Sequence, residues 1–165
     1  SADILTGTLG NALGGALGGY VAGPQPVIDL LRQRARPYLF SNALPPAITA
    51  AGRAALDLVE AGDDLRARLF ANAAQWRRGL EAAGFDVLPG EHPIVPVMIG
   101  DAAKSQRMAR ALGQRGVHVA GFFFPVVPHG TARIRTQMNA ALTQDDLSTA
   151  LDAFEEAARE TGVLA

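Results

Sequence analysis

Between residues 5 and 20 the chain reads Leu-Thr-Gly-Thr-Leu-Gly-Asn-Ala-Leu-Gly-Gly-Ala-Leu-Gly-Gly-Tyr, with glycine at 7, 10, 14, 15, 18 and 19. Such a density of glycine frees the backbone for positive φ and removes Cβ atoms that would hold a flat ligand away from the main chain. The spacing follows neither G-x-G-x-x-G nor G-x-x-x-x-G-K-[ST], so no nucleotide-phosphate motif is supported. Gly10, Gly14 and Gly18 are spaced as on the dimer face of a membrane helix, and residues 5–22 carry no formal charge. The stretch is nevertheless too poor in large apolar residues to span a bilayer. What remains is a glycine-rich turn between two buried strands, 2–5 and 19–22, which is compatible with a cofactor site.

The rest of the composition narrows the function classes. At 165 residues the chain is about one domain long, and its net charge of −1 leaves no electrostatic footprint for nucleic acid or an anionic membrane. It contains no cysteine, which removes disulfides and thiolate metal sites and permits a reducing compartment. No charged n-region or cleavage signature stands before the apolar stretch within this sequence, so no secretion signal is expected from it, although a targeting segment could lie in a missing part. The opening Ser1-Ala2-Asp3, without a methionine, leads to the expectation of the C-terminal part of a longer polypeptide.

Helical periodicity is expected over 24–36, ended by Pro37, and an irregular turn over 38–46. In that turn Ser41 and Asn42 suit a helix cap before Pro45-Pro46. A helix over 45–60 carries Ile48, Ala51, Ala55, Leu58 and Val59 on one face, and a second over 63–83 buries Leu65, Leu69, Ala73, Trp76 and Leu80. Arg77 and Arg78 fall in its last turns. Strands are expected at 85–88 and 94–99, a helix at 102–115, a strongly apolar core strand at 117–124 and an alternating strand at 132–138. A last helix starts at the Thr143 cap and ends at Gly162. His92 and His118 are isolated, with no second ligand at metal spacing. Arg133 and Arg135, two apart, share a strand face. If that face is inward they need either an internal salt bridge or a bound anion, because an unpaired buried guanidinium is costly.

The glycine-rich run closely resembles the Schiff-base lysine segment of the α-oxoamine synthases, pyridoxal-phosphate enzymes of the aspartate-aminotransferase-like fold. Their pattern, [ST]-x-x-K-A-x-G-G, is matched at Thr8, Ala12, Gly14 and Gly15, but Asn11 stands where the lysine belongs. The resemblance extends over nearly the whole chain. It is most specific at 6–20, 37–46 and 121–142, and residues 38–42 and 135–138 look more like the branch that transfers acetyl groups to glycine than like the alternatives, the 8-amino-7-oxononanoate and 5-aminolevulinate synthase branches.

Several expectations follow from the resemblance alone. The fold class is α/β to α+β: residues 1–44 complete a fold-type I pyridoxal-phosphate large domain, and residues 45–165 form the α+β small domain. Thr8 binds the cofactor phosphate, while Ser41 and Asn42 reach the phosphate of the neighbouring subunit in a homodimer with a shared active site. Arg135 holds the carboxylate of the amino-acid substrate, and Arg133 is structural. Glycine and acetyl-CoA are the implied substrates, in a cytoplasmic setting or a mitochondrial one in a eukaryote. Asn11, at the catalytic position, is neither basic nor nucleophilic, and the chain's single lysine, Lys104, is expected on a helix of the small lobe as an exposed cation. The chain alone is therefore expected to be inactive. A second reading makes it a non-catalytic relative or fragment that acts in assembly.

Overall fold

The computed structural model describes residues 2–15 and 17–164; Ser1, Ala16 and Ala165 lie outside the described residues. The chain divides into two compact units, Ser1–Asp63 and Asp64–Ala165.

The first unit opens on a hairpin. Strand β1 (Leu5–Thr8) pairs antiparallel with β2 (Gly19–Ala22), in a register running from Leu5↔Ala22 to Thr8↔Gly19. The first strand thus lies three residues later than the sequence suggests, because β2 offers partners only to residues 5–8. Neither strand is buried. The connecting loop folds on itself, with the Leu9 amide donating to the Gly18 carbonyl (2.9 Å) and the Gly15 amide to the Leu9 carbonyl (2.7 Å).

Most of the glycines here serve the chain's own packing rather than leaving room for a ligand. A Cβ on Gly19 would stand 2.8 Å from the Gly7 carbonyl oxygen, and one on Gly7 would meet the Tyr20 ring at 2.6 Å. A Cβ on Gly52 would come within 2.8 Å of the buried Leu9 side chain. Gly14 differs: it adopts φ +67° with open space where a Cβ would be, so only its left-handed backbone asks for glycine.

Helix α1 (Gln25–Arg34) follows, and at Ala35 the backbone turns extended. Pro37 does not simply end helical structure. It sits in the first turn of a short helix α2 (Arg36–Phe40), where its missing N–H costs nothing. Helix α3 (Pro46–Glu60) buries only Gly52 and Ala55, whereas Leu58 is 70% exposed. The apolar face read on this helix is largely at the surface of its unit.

The second unit holds the continuous core. Helix α4 (Asp63–Ala82) contributes Ala73, Trp76 and Leu80 to it, while Leu65 is exposed. Strands β3 (Asp86–Val87), β4 (Ile94–Gly100), β5 (Ala120–Phe122) and β6 (Ala132–Gln137) form one antiparallel sheet ordered β3-β4-β6-β5. Helices α5 (Ala102–Gln114) and α6 (Gln144–Thr161) complete an α+β lobe. Trp76 and Phe85 each meet Phe154 edge-on, at 5.2 and 5.9 Å between centroids. The Trp76 indole donates to the Thr136 hydroxyl (2.9 Å), which donates onward to the Val95 carbonyl (2.8 Å).

Helix ends are built from short polar residues. Asp101 caps α5 by accepting from the Lys104 amide. Thr143 and Asp146 form a reciprocal capping box on α6, and Gly162 closes that helix in the left-handed conformation. The Asp146 carboxyl is held below its ordinary value of 3.8, first by the Thr143 backbone amide and then by its hydroxyl. Arg115 joins α5 to α6 through Glu156 and Glu160, and these hydrogen bonds raise its pKa further. Arg77 lies ahead of the last turn of α4, where its guanidinium donates to the Leu88 carbonyl.

The apolar run 117–124 is not one core strand. The Val117 amide closes α5 by donating to the Leu112 carbonyl (2.9 Å), so pairing with β6 begins only at Ala120. Phe124 is exposed and stacks on His129 at 3.9 Å in the loop between β5 and β6.

Candidate active site

The residues singled out in the sequence fall in both units. Thr8 ends β1 opposite Gly19, on the strand face away from Tyr20. Asn11 lies in the turn just beyond it, exposed, with its backbone carbonyl accepting from the Gly14 amide (3.3 Å). Ser41 is the C-cap residue of α2 and Asn42 follows it; both are exposed. Neither caps the next helix, because α3 starts behind Pro45 with no side-chain hydrogen bond at its N-terminus. A groove of 620 Å³ in this unit is lined mainly by Gly7, Tyr20, Val21, Ile28 and Leu31, with Arg32 beside them.

In the second unit, the alternation of β6 buries Ala132, Ile134 and Thr136 and turns the arginines to the other face. The inward-facing arginine considered from the sequence is therefore not found within this unit, where Arg133 is half-buried and Arg135 exposed. Among the described residues neither is ion-paired to a carboxylate. The Arg133 Nε donates to the Thr131 carbonyl (3.1 Å), whereas the Arg135 guanidinium lies over the Phe122 ring, 5.3 Å from its centroid. Phe122 is the neighbour that sequence reasoning missed; the only available signal was its place in a strand antiparallel to the arginines.

Lys104 does not stand ready to replace the missing lysine. Its ammonium donates to the Gly162 carbonyl (2.7 Å), which fixes it at the C-terminal end of α6. His92 accepts from the Ile94 amide (3.0 Å), a local structural role, and no metal-holding cluster occurs among the described residues. No helix is long and apolar enough to cross a membrane among the described residues.

Residues 1–154 match the family model "Aminotransferase class I and II". The chain belongs to that family. Within the aminotransferase class I and II family it is 55% identical over 163 residues to the Escherichia coli 2-amino-3-ketobutyrate coenzyme A ligase, covering 99% of this chain and 41% of the relative. Against the mitochondrial ligase of Homo sapiens identity is 48%, covering 98% of this chain and 38% of the relative. The chain thus spans about two fifths of the length of these relatives. A structure of SPT with PLP superimposes at a TM-score of 0.93 with 31% identity, covering 98% of this chain and 41% of that one. The fold is therefore part of an α/β fold-type I pyridoxal-phosphate enzyme, and the second unit is an α+β lobe.

The donor groups of the first unit suit the phosphate of that cofactor but not its covalent attachment. The Thr8 hydroxyl, the Ser41 hydroxyl and the Asn42 carboxamide are exposed groups of the kind that bind phosphate. Covalent attachment does not fit: the Asn11 carboxamide is not a nucleophile, and the one lysine of the chain is occupied in the other unit.

Proposed function

We propose that the chain is part of a protein of the pyridoxal-phosphate acyltransferase type that condenses glycine with acetyl-CoA to give 2-amino-3-oxobutyrate and CoA, and that with Asn11 at the lysine position this chain is itself inactive. The observation that carries this reading is identity above one half with a 2-amino-3-ketobutyrate coenzyme A ligase along nearly the full chain. In the whole protein, residues 1–44 belong to the cofactor-binding large domain and residues 45–165 to the small domain. The reaction takes place inside the cell, in a homodimer whose two copies share each site.

When bound, the cofactor supplies an electron sink that lets the glycine α-proton leave. The chain's own groups have narrower tasks. Thr8 donates its hydroxyl to the cofactor phosphate. Ser41 and Asn42 donate to the phosphate in the partner subunit. Arg135 orients the glycine carboxylate, for which a planar guanidinium offers paired parallel donors. Asn11 cannot accept a proton or form the covalent link, so no acid–base step is assigned to it.

The second reading, a non-catalytic portion acting in assembly, is favoured by Asn11 and by the exposed apolar residues of the first unit, Leu5, Leu30, Phe40 and Leu58 among them. Retention of Thr8, Ser41, Asn42 and Arg135 favours the enzyme, because assembly has no need of a substrate arginine. The deciding experiment is intact-mass determination after adding pyridoxal phosphate and reducing with borohydride. It compares this chain with an Asn11→Lys version completed by the remaining part of the enzyme. The expected result is a cofactor adduct at position 11, with glycine-dependent release of CoA from acetyl-CoA, in the completed lysine version only. Absence of both from that version rejects the enzyme reading and leaves the assembly reading.

A further inference from the structure

The two arginines of β6 share a strand face and have different surroundings. Arg133 donates to a carbonyl of its own loop. Arg135 has a ring beneath it instead of an oxygen. Strand pairing explains how the ring arrives there. Ala120 is directly opposite Arg135 and Phe122 directly opposite Arg133, so Phe122 stands diagonal to Arg135 on the same face of the sheet. With alanine at 120, nothing bulky separates the guanidinium from the Phe122 ring.

An aromatic face attracts a guanidinium through its quadrupole but adds no negative charge and offers no lone pair. A carboxylate partner would have neutralised Arg135 and occupied its donors. The ring instead holds the group while leaving its charge unanswered, and Arg135 meets no carboxylate among the described residues.

We infer that Phe122 is a positioning residue for Arg135: its ring orders the guanidinium so that the donor fork is open to a substrate carboxylate. The inference rests on the carboxylate-binding role proposed above for Arg135. It adds a second residue, from the neighbouring strand, and a reason why Arg135 rather than Arg133 is the binding arginine. Arg133 spends its Nε donor on Thr131.

The test follows the Arg135 Nε–Hε resonance by NMR in the full chain during titration with acetate, and then with glycine. In the parent chain the arginine side-chain protons next to the ring are displaced upfield by its ring current, and acetate shifts the Nε–Hε signal. In Phe122→Leu the ring-current displacement disappears and apparent acetate affinity falls about two- to fivefold, the range of an exposed cation–π contact. Phe122→Tyr, which keeps the ring, retains both signatures. The backbone amide spectrum of each variant reports whether the sheet remains folded. If Phe122→Leu stays folded and titrates like the parent, Phe122 is packing only and the inference is overturned. Lack of ring-current displacement in the parent overturns it without any variant. A parent that shows the displacement but no acetate response rejects instead the carboxylate role of Arg135, and the inference with it.

Discussion

The Thr136 hydroxyl is the junction through which the Trp76 indole, the β4 backbone and β6 are held together in a buried setting. Thr136→Val keeps the shape but leaves the indole N–H without an acceptor, a loss of about 1–3 kcal/mol that urea unfolding will report. Asp146 acts in the same way at the start of α6. Its carboxyl titrates below its ordinary value in the folded chain, so its contribution is complete above the unfolded pKa of about 4 and is lost as the pH falls through the folded one. Stability of the second unit should therefore decline as the pH falls below about 4, and the decline should be smaller in Asp146→Ala, as followed by circular dichroism. Both residues were open to sequence reasoning to different degrees. The Thr143 cap on which Asp146 acts was visible as a helix start, whereas nothing local to Thr136 announces a tryptophan sixty positions away in sequence.

Element by element, the ends that were legible are those set by local chemistry. Thr143 and Gly162 bound α6 as expected, because a cap and a left-handed glycine act within a single turn. The boundaries that moved depend on partners. β1 shifted because its register is fixed by β2, and β5 shortened because the end of α5 claims the Val117 amide. The fork between Arg133 and Arg135 was legible as a shared face, but which face is inward was decided by Ile134 and Thr136 entering the core. The hairpin gives the sharpest prediction at this scale. Gly19→Ala would force a Cβ to 2.8 Å from the Gly7 carbonyl, a backbone atom that cannot move without parting the strands. Loss of the cross-strand contacts between residues 7 and 20, seen as lost nuclear Overhauser effects while the second unit's spectrum is unchanged, is the expected outcome.

At the scale of the molecule, the two units differ in what they bury. The second has a continuous core from Ala73 to Ala158, while the first exposes large apolar side chains on its hairpin and on all three of its helices. Amide hydrogen exchange should accordingly be slow in β4, β6 and α6 and fast in β1 and β2, since protection follows burial and local contact. Uniform protection across both would contradict this. The unequal burial also decides what light can report. The chain has a single tryptophan, sealed at 3% exposure between Thr136 and the edge of Phe154. Its emission should be blue-shifted in the native chain and move to the red as water reaches the indole. That colour change follows the opening of the second unit alone: a hairpin with altered glycines could come apart while the fluorescence stayed native.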